Sequence, residues 1–496
     1  MKLFKYWSRL LIVLLCGGGA YVLFQTLDPP TQYLLPGFFG VIGLLALAPG
    51  AGQSRPTILR LAGFKWAKED FCRGWLITGD TGSGKTSSGI VTIAEQVYRN
   101  DPRVGGVVID DKGVLFETFR EILRAKKRSE DLILLQCKPE TASASWTPPN
   151  RFNLLSDASI PPNTLAKIVV DTASSVQGNG DRGFFRTNVQ LQIGKGIETL
   201  RLLNLPCTLK SLYSFLTSNV EVDKMIDLLT RVPDKHQMQA VDLVTHWIEG
   251  FQRQPPEQLG GVRSTIVNYL EYFTTPDIAE VFCPNENTFE FNRIDQGGLI
   301  CVSMPQKYQT ERRYVATLLK ILYYVHVLRR FDQPADVRRR NNLLVLWADE
   351  AQNFVTQTEG MSDHSTVDRI REAGATVVAA TQSQTSFFPP LTREKAQVFA
   401  LNLRNRLIFK AADESCAEES ANFIGKRRII KRSWGSSAGK GNVNFSYEDE
   451  YVYKPHILRR LANHTCIISH CRKGFRKRLL PPRNPDGSVC EWFKRW

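Results

Sequence analysis

The sequence predicts an α/β fold with a largely parallel sheet, an all-α region inserted into it and two apolar helices at the N-terminus. Three observations lead to this fold class. Short apolar runs alternate with stretches of helical periodicity after residue 71, strand signals are few between residues 161 and 275, and the first 54 residues are almost uncharged. Short continuous apolar runs are typical of strands buried on both faces of a parallel sheet, and such strands need crossover helices.

The N-terminal segment contains two apolar runs, residues 10–27 and 33–52, and Asp28 is the only charged residue between Arg9 and Arg55. Each run approaches the ~20 residues that a helix needs to cross a bilayer. Basic residues precede the first run and follow the second, so both ends of the hairpin are expected on the cytoplasmic side. The segment is therefore predicted to be a two-helix transmembrane anchor.

Two other interpretations of this segment are weaker. A cleaved signal peptide would export the rest of the chain, and a second apolar run follows the first at once. A lipoprotein site at Cys16 would need a small residue where Leu15 stands. Ten cysteines without a CxxC pair indicate reduced thiols in a cytoplasmic body rather than a zinc ribbon or a disulfide framework.

Eight apolar runs are predicted to be strands. They span residues 74–78, 105–110, 132–136, 298–304, 343–348, 375–380, 405–410 and 464–470. Residues 85–100 and 311–330 have the spacing of crossover helices, and residues 186–203 and 236–252 that of helices in the inserted region. No internal repeat or low-complexity tract is evident, and GSSAGKGN at residues 435–442 is predicted to be a flexible loop.

A phosphate-binding loop is indicated by GDTGSGKTS at residues 79–87, which lies between a predicted strand and a predicted helix. The three glycines let backbone N–H groups point at phosphate oxygens. Lys85 adds a charge for the terminal phosphates, and the Thr86 hydroxyl can bind Mg²⁺. The motif predicts ATP and Mg²⁺ as cofactors. The predicted nucleotide contacts are Gly79, Asp80, Thr81, Gly82, Ser83, Gly84, Lys85, Thr86 and Ser87.

The second half of such a site is predicted where the apolar run 343–348 ends in Asp349 and Glu350. Asp349 would hold Mg²⁺ together with Thr86, and Glu350 would polarise the attacking water. The alternative is an exposed acidic pair in a turn. With the loop at residues 79–87, the pair predicts a RecA-like P-loop ATPase core.

Two further residues are candidates for catalysis. Gln382 follows the apolar run 375–380, where a neutral amide at a strand tip can contact the γ-phosphate without repelling it. Arg371 precedes the same run and could reach the phosphate of a neighbouring subunit as an arginine finger. Taken as isolated residues, both could equally be ordinary surface groups.

The predicted organisation has four parts. They are the transmembrane anchor at residues 1–54, the first part of the ATPase core at 55–160, an all-α inserted domain at 161–275, and the second part of the core with a basic C-terminal end at 276–496.

The charge of the chain is concentrated at its C-terminal end. The formal net charge is +15, and residues 426–496 contain 17 Lys/Arg against 5 Asp/Glu. Basic runs lie at residues 426–432 and 472–478. A nucleic-acid path and a solvated face next to a membrane both remain open, because charge runs alone do not separate them.

A cluster of possible metal ligands lies in the last predicted strand. It consists of His464, Cys466, His470 and Cys471. Zinc needs ligands that converge tetrahedrally, whereas successive side chains of a strand point to opposite faces. The spacing therefore argues against a metal site.

Taken together, several blocks resemble the type IV secretion coupling proteins of the TraG/TraD class, which are relatives of the FtsK/HerA-type DNA pumps. After the N-terminal hairpin they are GDTGSGKTS, VVIDDKG (107–113), GGLICVSMP (297–305), ADEAQNF (348–354), REAGATVVAATQSQ (371–384), and residues 402–425 and 456–482, the last resembling a closing strand pair. The blocks stand in the family's order and extend over most of the chain.

The resemblance implies roles for several residues. Asp110 and Lys112 match the family's Asp-x-Lys-Gly element beside the nucleotide, although a charged turn after a strand is the plainer interpretation. Arg371 matches the position of the proposed finger, and Arg404 and Arg406 are second candidates for phosphate contact.

The resemblance also implies partners and location. The protein would be a homo-hexamer, multi-pass in the bacterial inner membrane, with its ATPase body in the cytoplasm. It would transfer single- or double-stranded DNA, bound to a relaxase, or secreted proteins, and would contact channel subunits. A short external turn, Val114 in place of an acid and the absence of a long tail after residue 482 depart from the family pattern.

Two alternatives to a DNA-transferring ATPase remain. One is a docking receptor for protein substrates, switched by ATP without DNA threading. The other is a double-stranded DNA pump in chromosome segregation, which the two short apolar runs and the lack of a separate DNA-reading domain favour less.

Overall fold

The computed structural model of the chain describes residues 56–177, 183–357, 361–437 and 440–494. The predicted transmembrane anchor lies outside these residues. Within the described ranges, no helix is both long and apolar enough to cross a bilayer. Residues Thr57–Trp496 form one compact unit.

The described part of the chain contains thirteen strands. They are β1 Thr57–Leu61, β2 Phe64–Ala67, β3 Trp75–Thr78, β4 Gly105–Asp110, β5 Leu132–Gln136, β6 Leu299–Ser303, β7 Leu344–Asp349, β8 Ala375–Thr381, β9 Asn405–Ile408, β10 Lys426–Ser437, β11 Lys440–Tyr451, β12 Thr465–His470 and β13 Gly474–Leu479. All eight predicted strands are confirmed, within two residues at each end.

Nine of these strands form one mixed sheet in the order β13-β12-β9-β3-β8-β7-β4-β6-β5. The seven strands from β9 to β5 are parallel to their neighbours, and β12 and β13 add an antiparallel pair at one edge. The prediction of a largely parallel sheet is therefore confirmed. Since β8 lies between β3 and β7, the carboxyl ends of these three strands meet at one edge of the sheet.

The α-helices surround this sheet. They are α1 Lys68–Phe71, α2 Val91–Asn100, α3 Leu115–Ala125, α4 Pro162–Gln177, α5 Gly183–Leu202, α6 Leu209–Thr217, α7 Asn219–Thr230, α8 Gln237–Thr245, α9 Pro256–Leu270, α10 Pro276–Phe282, α11 Gln309–Leu328, α12 Ala335–Arg340, α13 Asp363–Ile370, α14 Arg393–Asn402, α15 Glu414–Ile424, α16 Pro455–Arg459 and α17 Glu491–Lys494. A π-helical turn, Lys85–Ile90, leads into α2, and another, His246–Gln252, extends α8.

The sheet is buried on both faces, which explains why its strands are continuously apolar. Leu344 and Leu346 of β7 belong to the hydrophobic core on one face, and Val345 and Trp347 belong to the core on the other. Successive side chains of a strand alternate between faces, so every position of β7 from Leu344 to Trp347 faces a hydrophobic core. The polar residues of this strand therefore begin at Asp349, where it ends.

Helices α4 to α10 occupy the stretch between β5 and β6, where no strand occurs among the described residues. Leu165 and Val169 of α4 share one hydrophobic core with the sheet residues Val107 and Ile300. The helical region is thus attached to one face of the sheet through α4.

Strands β10 and β11 form a separate two-stranded antiparallel sheet. The prediction of a flexible loop over residues 435–442 is wrong for residues 435–437 and 440–442, which continue these strands, and residues 438–439 are outside the described ranges. Gly, Ser and Asn have weak strand propensity, but the register set by pairs such as Ile430 with Tyr447 carries the hydrogen-bonded ladder through them.

A buried ion pair anchors the loop that follows β7 to helix α11. The side chains of Lys320 and Asp363 are each 3% exposed and form an ion pair. Lys320 Nζ also donates to the carbonyl of Phe354 at 2.6 Å. Asp363 accepts from the backbone N–H of Thr356 at 2.7 Å and from the hydroxyl of Tyr324 at 2.6 Å. Burial lowers the pKa of Lys320, and Asp363 partly offsets that shift.

Substitution of Asp363 by alanine is expected to destabilise the protein by ~3–5 kcal/mol, because it leaves the Lys320 ammonium buried without its counter-charge. Thermal unfolding of the variant and the wild type measures this difference. Asp227→Ala is the matched control, because Asp227 pairs with Arg231 at the surface, where loss of an ion pair costs ~0–1 kcal/mol. Equal losses in the two variants would contradict a special role for the buried pair.

Candidate nucleotide-binding site

The loop between β3 and the π-helical turn has the shape that its glycines predict. Gly82 and Gly84 have φ angles of 76° and 108°, a region that other residues rarely adopt. Gly79 is needed for space, because a Cβ there would lie 2.6 Å from both Phe409 and Ser83. The backbone can therefore curl at the N-terminus of a helix, where its N–H groups favour anions.

Lys85 and Thr86 point towards the carboxyl end of β7. Lys85 Nζ donates to the carbonyls of Gly79 and Asp80 at 2.8 and 3.2 Å, so its charge is held within the loop. Thr86 Oγ1 donates to Asp349 Oδ2 at 3.0 Å. Burial lowers the pKa of Lys85, and the nearby carboxylates of Glu350 and Asp349 oppose that shift. The structure brings these predicted site residues together.

The ionised form of the Asp349 carboxyl group is unfavourable in its folded environment. The pKa of its carboxyl group is raised to about 6, chiefly by burial and also by the neighbouring Asp110 and Glu350, while the hydrogen bond from Thr86 lowers it. Asp110 is the residue opposite Asp349 in the pairing of β4 with β7. The Asp349 carboxylate and the Thr86 hydroxyl beside it are hard oxygen ligands of the kind that Mg²⁺ prefers.

Asp110 differs from its predicted role as a nucleotide contact. Its carboxylate accepts from the backbone N–H groups of Lys112, Val114 and Leu115 at 3.1, 2.9 and 2.9 Å. It thereby holds the turn that starts α3, and it does not line the cleft. All three hydrogen bonds of the carboxylate are local, as expected for a charged turn after a strand. The charge of Asp110 nevertheless raises the pKa of Asp349.

Glu350 is held in an unusual backbone conformation beside Asp349. Its φ and ψ are 49° and 48°, in the left-handed region. Gln352 Nε2 donates to Glu350 Oε2 at 3.0 Å, and Thr381 Oγ1 donates to Gln352 Oε1 at 2.8 Å. Gln352 therefore positions Glu350, a role that no sequence motif indicates. Strained residues of this kind concentrate at functional sites.

The loop, β7 and β8 enclose a cleft of about 500 Å³, called the loop cleft below. It is lined by Thr81, Gly82, Gly84, Lys85, Thr86, Ser87, Val91, Lys112, Thr118, Asp349, Glu350, Gln382, Arg483 and Pro485. The predicted residues Lys112 and Gln382 are thus at the site. Gly79, Asp80 and Ser83 form the inner side of the loop, and the Gly79 N–H donates to the carbonyl of Gln382 at 3.1 Å.

Four lining residues were not predicted: Val91 and Thr118 on helices, and Arg483 and Pro485 near the C-terminus. No local motif marks them. The backbone N–H of Arg483 donates to the carbonyl of Ser87 at 3.2 Å, a contact between residues almost 400 positions apart in sequence. A signal in the sequence was the cluster of Pro and Gly at residues 481–487, which indicates a turn but not its location.

Arg371 lies away from the loop cleft of its own chain. It precedes β8, whereas Gln382 follows that strand, so about 20 Å of strand separates them. Arg371 lines a different cavity of about 350 Å³, whose other cations are Lys68, Arg73, Arg338 and Arg339. Its nearest acidic partners are Asp368 at 3.8 Å and Glu372 at 3.5 Å.

Arg406 is a structural residue, which corrects its prediction as a candidate for phosphate contact. Its side chain is 3% exposed, and it donates to Gln384 at 3.0 Å and to the carbonyl of Ala400 at 2.7 Å. The guanidinium lies 3.5 Å from the ring centre of Phe423, and burial lowers its pKa to about 9. Arg404, at the amino end of β9, does not line the loop cleft either.

The histidines of the possible metal cluster have other contacts. His464 Nδ1 lies 2.8 Å from Ser88 Oγ, and its backbone N–H donates to the carbonyl of Ser83 at 2.8 Å. His470 Nε2 lies 3.1 Å from the carbonyl of Lys65. In the described part of the chain, no group of three or more acidic, His or Cys side chains is arranged to hold a metal. His464 thus supports the phosphate-binding loop.

The fold and the loop cleft define an α/β protein with a phosphate-binding loop and an acidic strand end beside it. Residues 258–461 match a family model described as the DNA-binding domain of the type IV secretion-system coupling protein. This match, over 204 of the 496 residues, confirms the predicted resemblance to the type IV secretion coupling proteins. A search among curated proteins returned no match.

Solved structures of one conjugative coupling protein share the fold. That protein is the bacterial conjugative coupling protein TrwBdeltaN70. Its trigonal form in complex with sulphate has a TM-score of 0.61 and 15% sequence identity, and the match covers 88% of this chain and 92% of that one. The structure of TrwB in complex with ADP and Mg²⁺ has a TM-score of 0.58 and 16% sequence identity, and the match covers 87% of this chain and 91% of that one. The structure of TrwB in complex with a non-hydrolysable ATP analogue has a TM-score of 0.58 and 15% sequence identity, and the match covers 87% of this chain and 92% of that one.

Proposed function

We propose that this protein is a membrane-anchored ATPase that couples ATP hydrolysis to the transfer of DNA or nucleoprotein through a type IV secretion channel. The observation that carries the proposal is the loop cleft, in which Lys85, Thr86, Asp349 and Glu350 converge from two strands. The described relatives with the same fold include forms bound to ADP with Mg²⁺ and to an ATP analogue, which supports the choice of nucleotide.

The residues of the loop cleft fit Mg²⁺-ATP. The metal would neutralise charge on the phosphates and on the acidic cluster when bound, with Thr86 and Asp349 as its protein ligands. Lys85 would exchange its two carbonyl partners for the terminal phosphates. Glu350, oriented by Gln352, would accept a hydrogen bond from the attacking water, and the Gln382 amide would contact the γ-phosphate side.

DNA as the transferred substrate is supported by the family description and by exposed basic surfaces. In β13, at the edge of the large sheet, Arg476, Lys477 and Arg478 are exposed. On the β10–β11 hairpin, Phe445 and Tyr447 are 65% and 72% exposed, and the guanidinium groups of Arg432 and Arg428 lie 5.7 and 5.9 Å from their ring centres. Cations beside exposed aromatic rings suit sequence-independent contact with phosphates and bases.

The anchor, the oligomer and the partners belong to the same proposal. Residues 1–54 would form a transmembrane hairpin in the bacterial inner membrane and hold the ATPase body in the cytoplasm. The body would assemble as a homo-hexamer, with residues 161–275 as the all-α domain that meets a relaxase or a secreted substrate, and the ring would dock on channel subunits. The two parts of the core would be residues 55–160 and 276–496.

A docking receptor for protein substrates is the second candidate. Val220 and Val241 of the all-α region are 73% and 56% exposed, and Met238 is 83% exposed. Apolar side chains on a helical surface can bind a protein partner. In this case ATP would switch the receptor between states, and DNA would leave the hydrolysis rate unchanged.

The test is ATP hydrolysis by the purified full-length protein, alone, with single-stranded DNA and with duplex DNA. DNA is expected to raise the rate several-fold, because a motor that moves DNA couples its turnover to the bound substrate. Lys85→Ala, which removes the phosphate-binding cation, should abolish the stimulated rate and serves as the control for contaminating enzymes. DNA binding without any change in rate would favour the docking receptor.

A further inference from the structure

The last described residues fold back over the phosphate-binding loop. Residues 481–494, called the C-terminal strap below, follow β13 and form a small closed hairpin. Arg483 and Val489 form an antiparallel bridge, and the Cys490 N–H donates to the carbonyl of Pro482 at 3.0 Å. The turn of this hairpin contains Gly487, whose φ is 94°. The strap is therefore an ordered element with its own hydrogen bonds.

Two contacts fix the C-terminal strap on the loop and its helix. Gly487 lies directly against the buried side chain of Glu95 in α2, where a Cβ would come within 2.7 Å of a carboxylate oxygen. Trp492 and Phe493 place their rings 5.5 and 5.4 Å from the ring of His464. His464 in turn contacts the loop, and a Cβ on Gly84 would lie 2.8 Å from its Nδ1.

Two neighbouring residues of the loop contact different parts of the cleft. The Thr86 hydroxyl donates to Asp349, beside Glu350. The carbonyl of Ser87 accepts from the backbone N–H of Arg483, which lines the cleft together with Pro485 of the C-terminal strap. In the proposed function the terminal phosphates and Mg²⁺ would lie beside Asp349, with Thr86 and Asp349 as the protein ligands of the metal. The rest of a bound nucleotide, its α-phosphate and nucleoside, must extend from the loop in another direction.

Arg483 carries a charge that no carboxylate neutralises in the described ranges. Its guanidinium donates to the carbonyl of Gly487 at 2.5 Å, and the side chain is partly buried. Its backbone is bonded to Ser87, two residues after Lys85. A fixed cation at a helix N-terminus that already favours anions is suited to a phosphate group.

We propose that the C-terminal strap forms the nucleoside-side wall of the nucleotide site and that Arg483 is a binding residue for the α-phosphate region of the nucleotide. This inference rests on the proposed function, since it takes the loop cleft to hold a nucleoside di- or triphosphate. It adds a contact made within the same chain by a segment that follows the last motif shared with the family.

The test compares the affinities of ADP and of inorganic phosphate, each with Mg²⁺, measured by displacement of a fluorescent ADP from the full-length protein. Inorganic phosphate has a single phosphate group, which can take the place of the terminal phosphate of ADP in the loop without filling the α-phosphate position beside the strap. Arg483→Ala is expected to weaken ADP about ten-fold or more and to leave inorganic phosphate within about two-fold, because the hydrogen bond to the α-phosphate is lost only with the nucleotide. Arg483→Lys should retain part of the affinity for ADP.

Arg124→Ala is the matched control: it removes the same charge from an exposed position of α3 outside the loop cleft and should bind ADP like the wild type. Lys85→Ala should weaken both probes. The inference is overturned if Arg483→Ala binds ADP as the wild type does, or loses ADP and inorganic phosphate equally. Equal melting temperatures of the two arginine variants show that folding is intact. Failure of wild-type protein to bind either probe would overturn the proposed function instead.

Discussion

Substitution of Asp349 by asparagine is expected to abolish ATP hydrolysis while making the nucleotide-free protein more stable. The loss of activity should be at least about 100-fold, because the amide is a poor ligand for Mg²⁺ beside Thr86. The gain in stability should be roughly 1–3 kcal/mol at pH 7.5, because the carboxyl group of Asp349 has a pKa raised to about 6 by burial and by Asp110. Its ionised form is therefore unfavourable in the folded protein.

The pH dependence of this gain follows from the direction of the shift. In the folded protein Asp349 keeps its proton up to about pH 6, whereas in an unfolded chain it loses the proton near pH 4. The unfolded state binds fewer protons in this window, so the stability of the wild type falls as the pH rises from about 4 to 6. Because asparagine does not titrate, the stability gained by the variant should be largest above pH 6 and should disappear as the pH falls towards 4.

Thermal unfolding without nucleotide at pH 4.5, 6 and 7.5, together with hydrolysis at pH 7.5, measures both effects. Asp242→Asn, in the exposed part of α8, is the control and should change neither quantity. A variant that is less stable than the wild type at pH 7.5 would show that the hydrogen bonds of Asp349 outweigh its buried charge. Full hydrolytic activity in the variant would remove Asp349 from the site.

Substitution of Arg371 by alanine is expected to reduce hydrolysis ~10³-fold or more and to leave the affinity for ADP within about two-fold. Arg371 lies at the amino end of β8, on the opposite edge of the sheet from the loop cleft of its own chain. An arginine finger from a neighbouring subunit acts on the transition state and contributes little to binding of the product. Arg369→Ala, an exposed neighbour on α13, is the matched control.

Mixing two inactive variants separates action in trans from action in cis. Arg371→Ala has an intact loop cleft, and Lys85→Ala has an intact Arg371. If the finger acts in trans, co-assembled rings contain sites with both groups, and about one quarter of the sites should be complete in a random equal mixture. Hydrolysis absent from the mixture, or undiminished in Arg371→Ala alone, would reject Arg371 as a finger in trans.

The parallel sheet and the phosphate-binding loop could be predicted because the physics behind them is local. A strand covered on both faces must be apolar throughout, as in residues 343–348, and a loop that directs N–H groups to phosphate needs glycine where φ is positive, as at Gly82 and Gly84. Asp349, Glu350 and Gln382 could be predicted as candidates for one site because they follow neighbouring apolar strands, whereas Lys112 was expected only from the resemblance to the family.

The side-chain contacts that decide the role of an individual polar residue could not be predicted. In the sequence, Arg406 cannot be told apart from an arginine that binds phosphate. Only its contacts with Phe423 and Gln384 in the folded protein show that it is a structural residue. Asp110 is likewise bound to the start of α3 instead of lining the cleft. Gln352 became a positioning residue only when the fold placed it between Glu350 and Thr381.

The sequence by itself determined the class of fold, the phosphate-binding loop and the acidic strand end, because each depends on periodicity or on residue types at fixed spacing. Only the tertiary structure decided what closes the loop cleft. The C-terminal strap and His464 reach the loop from almost 400 residues away, and long-range packing of this kind follows from the pairing of β12 and β13 at the sheet edge. No local pattern encodes such a contact, since loop closure between distant segments depends on the whole fold.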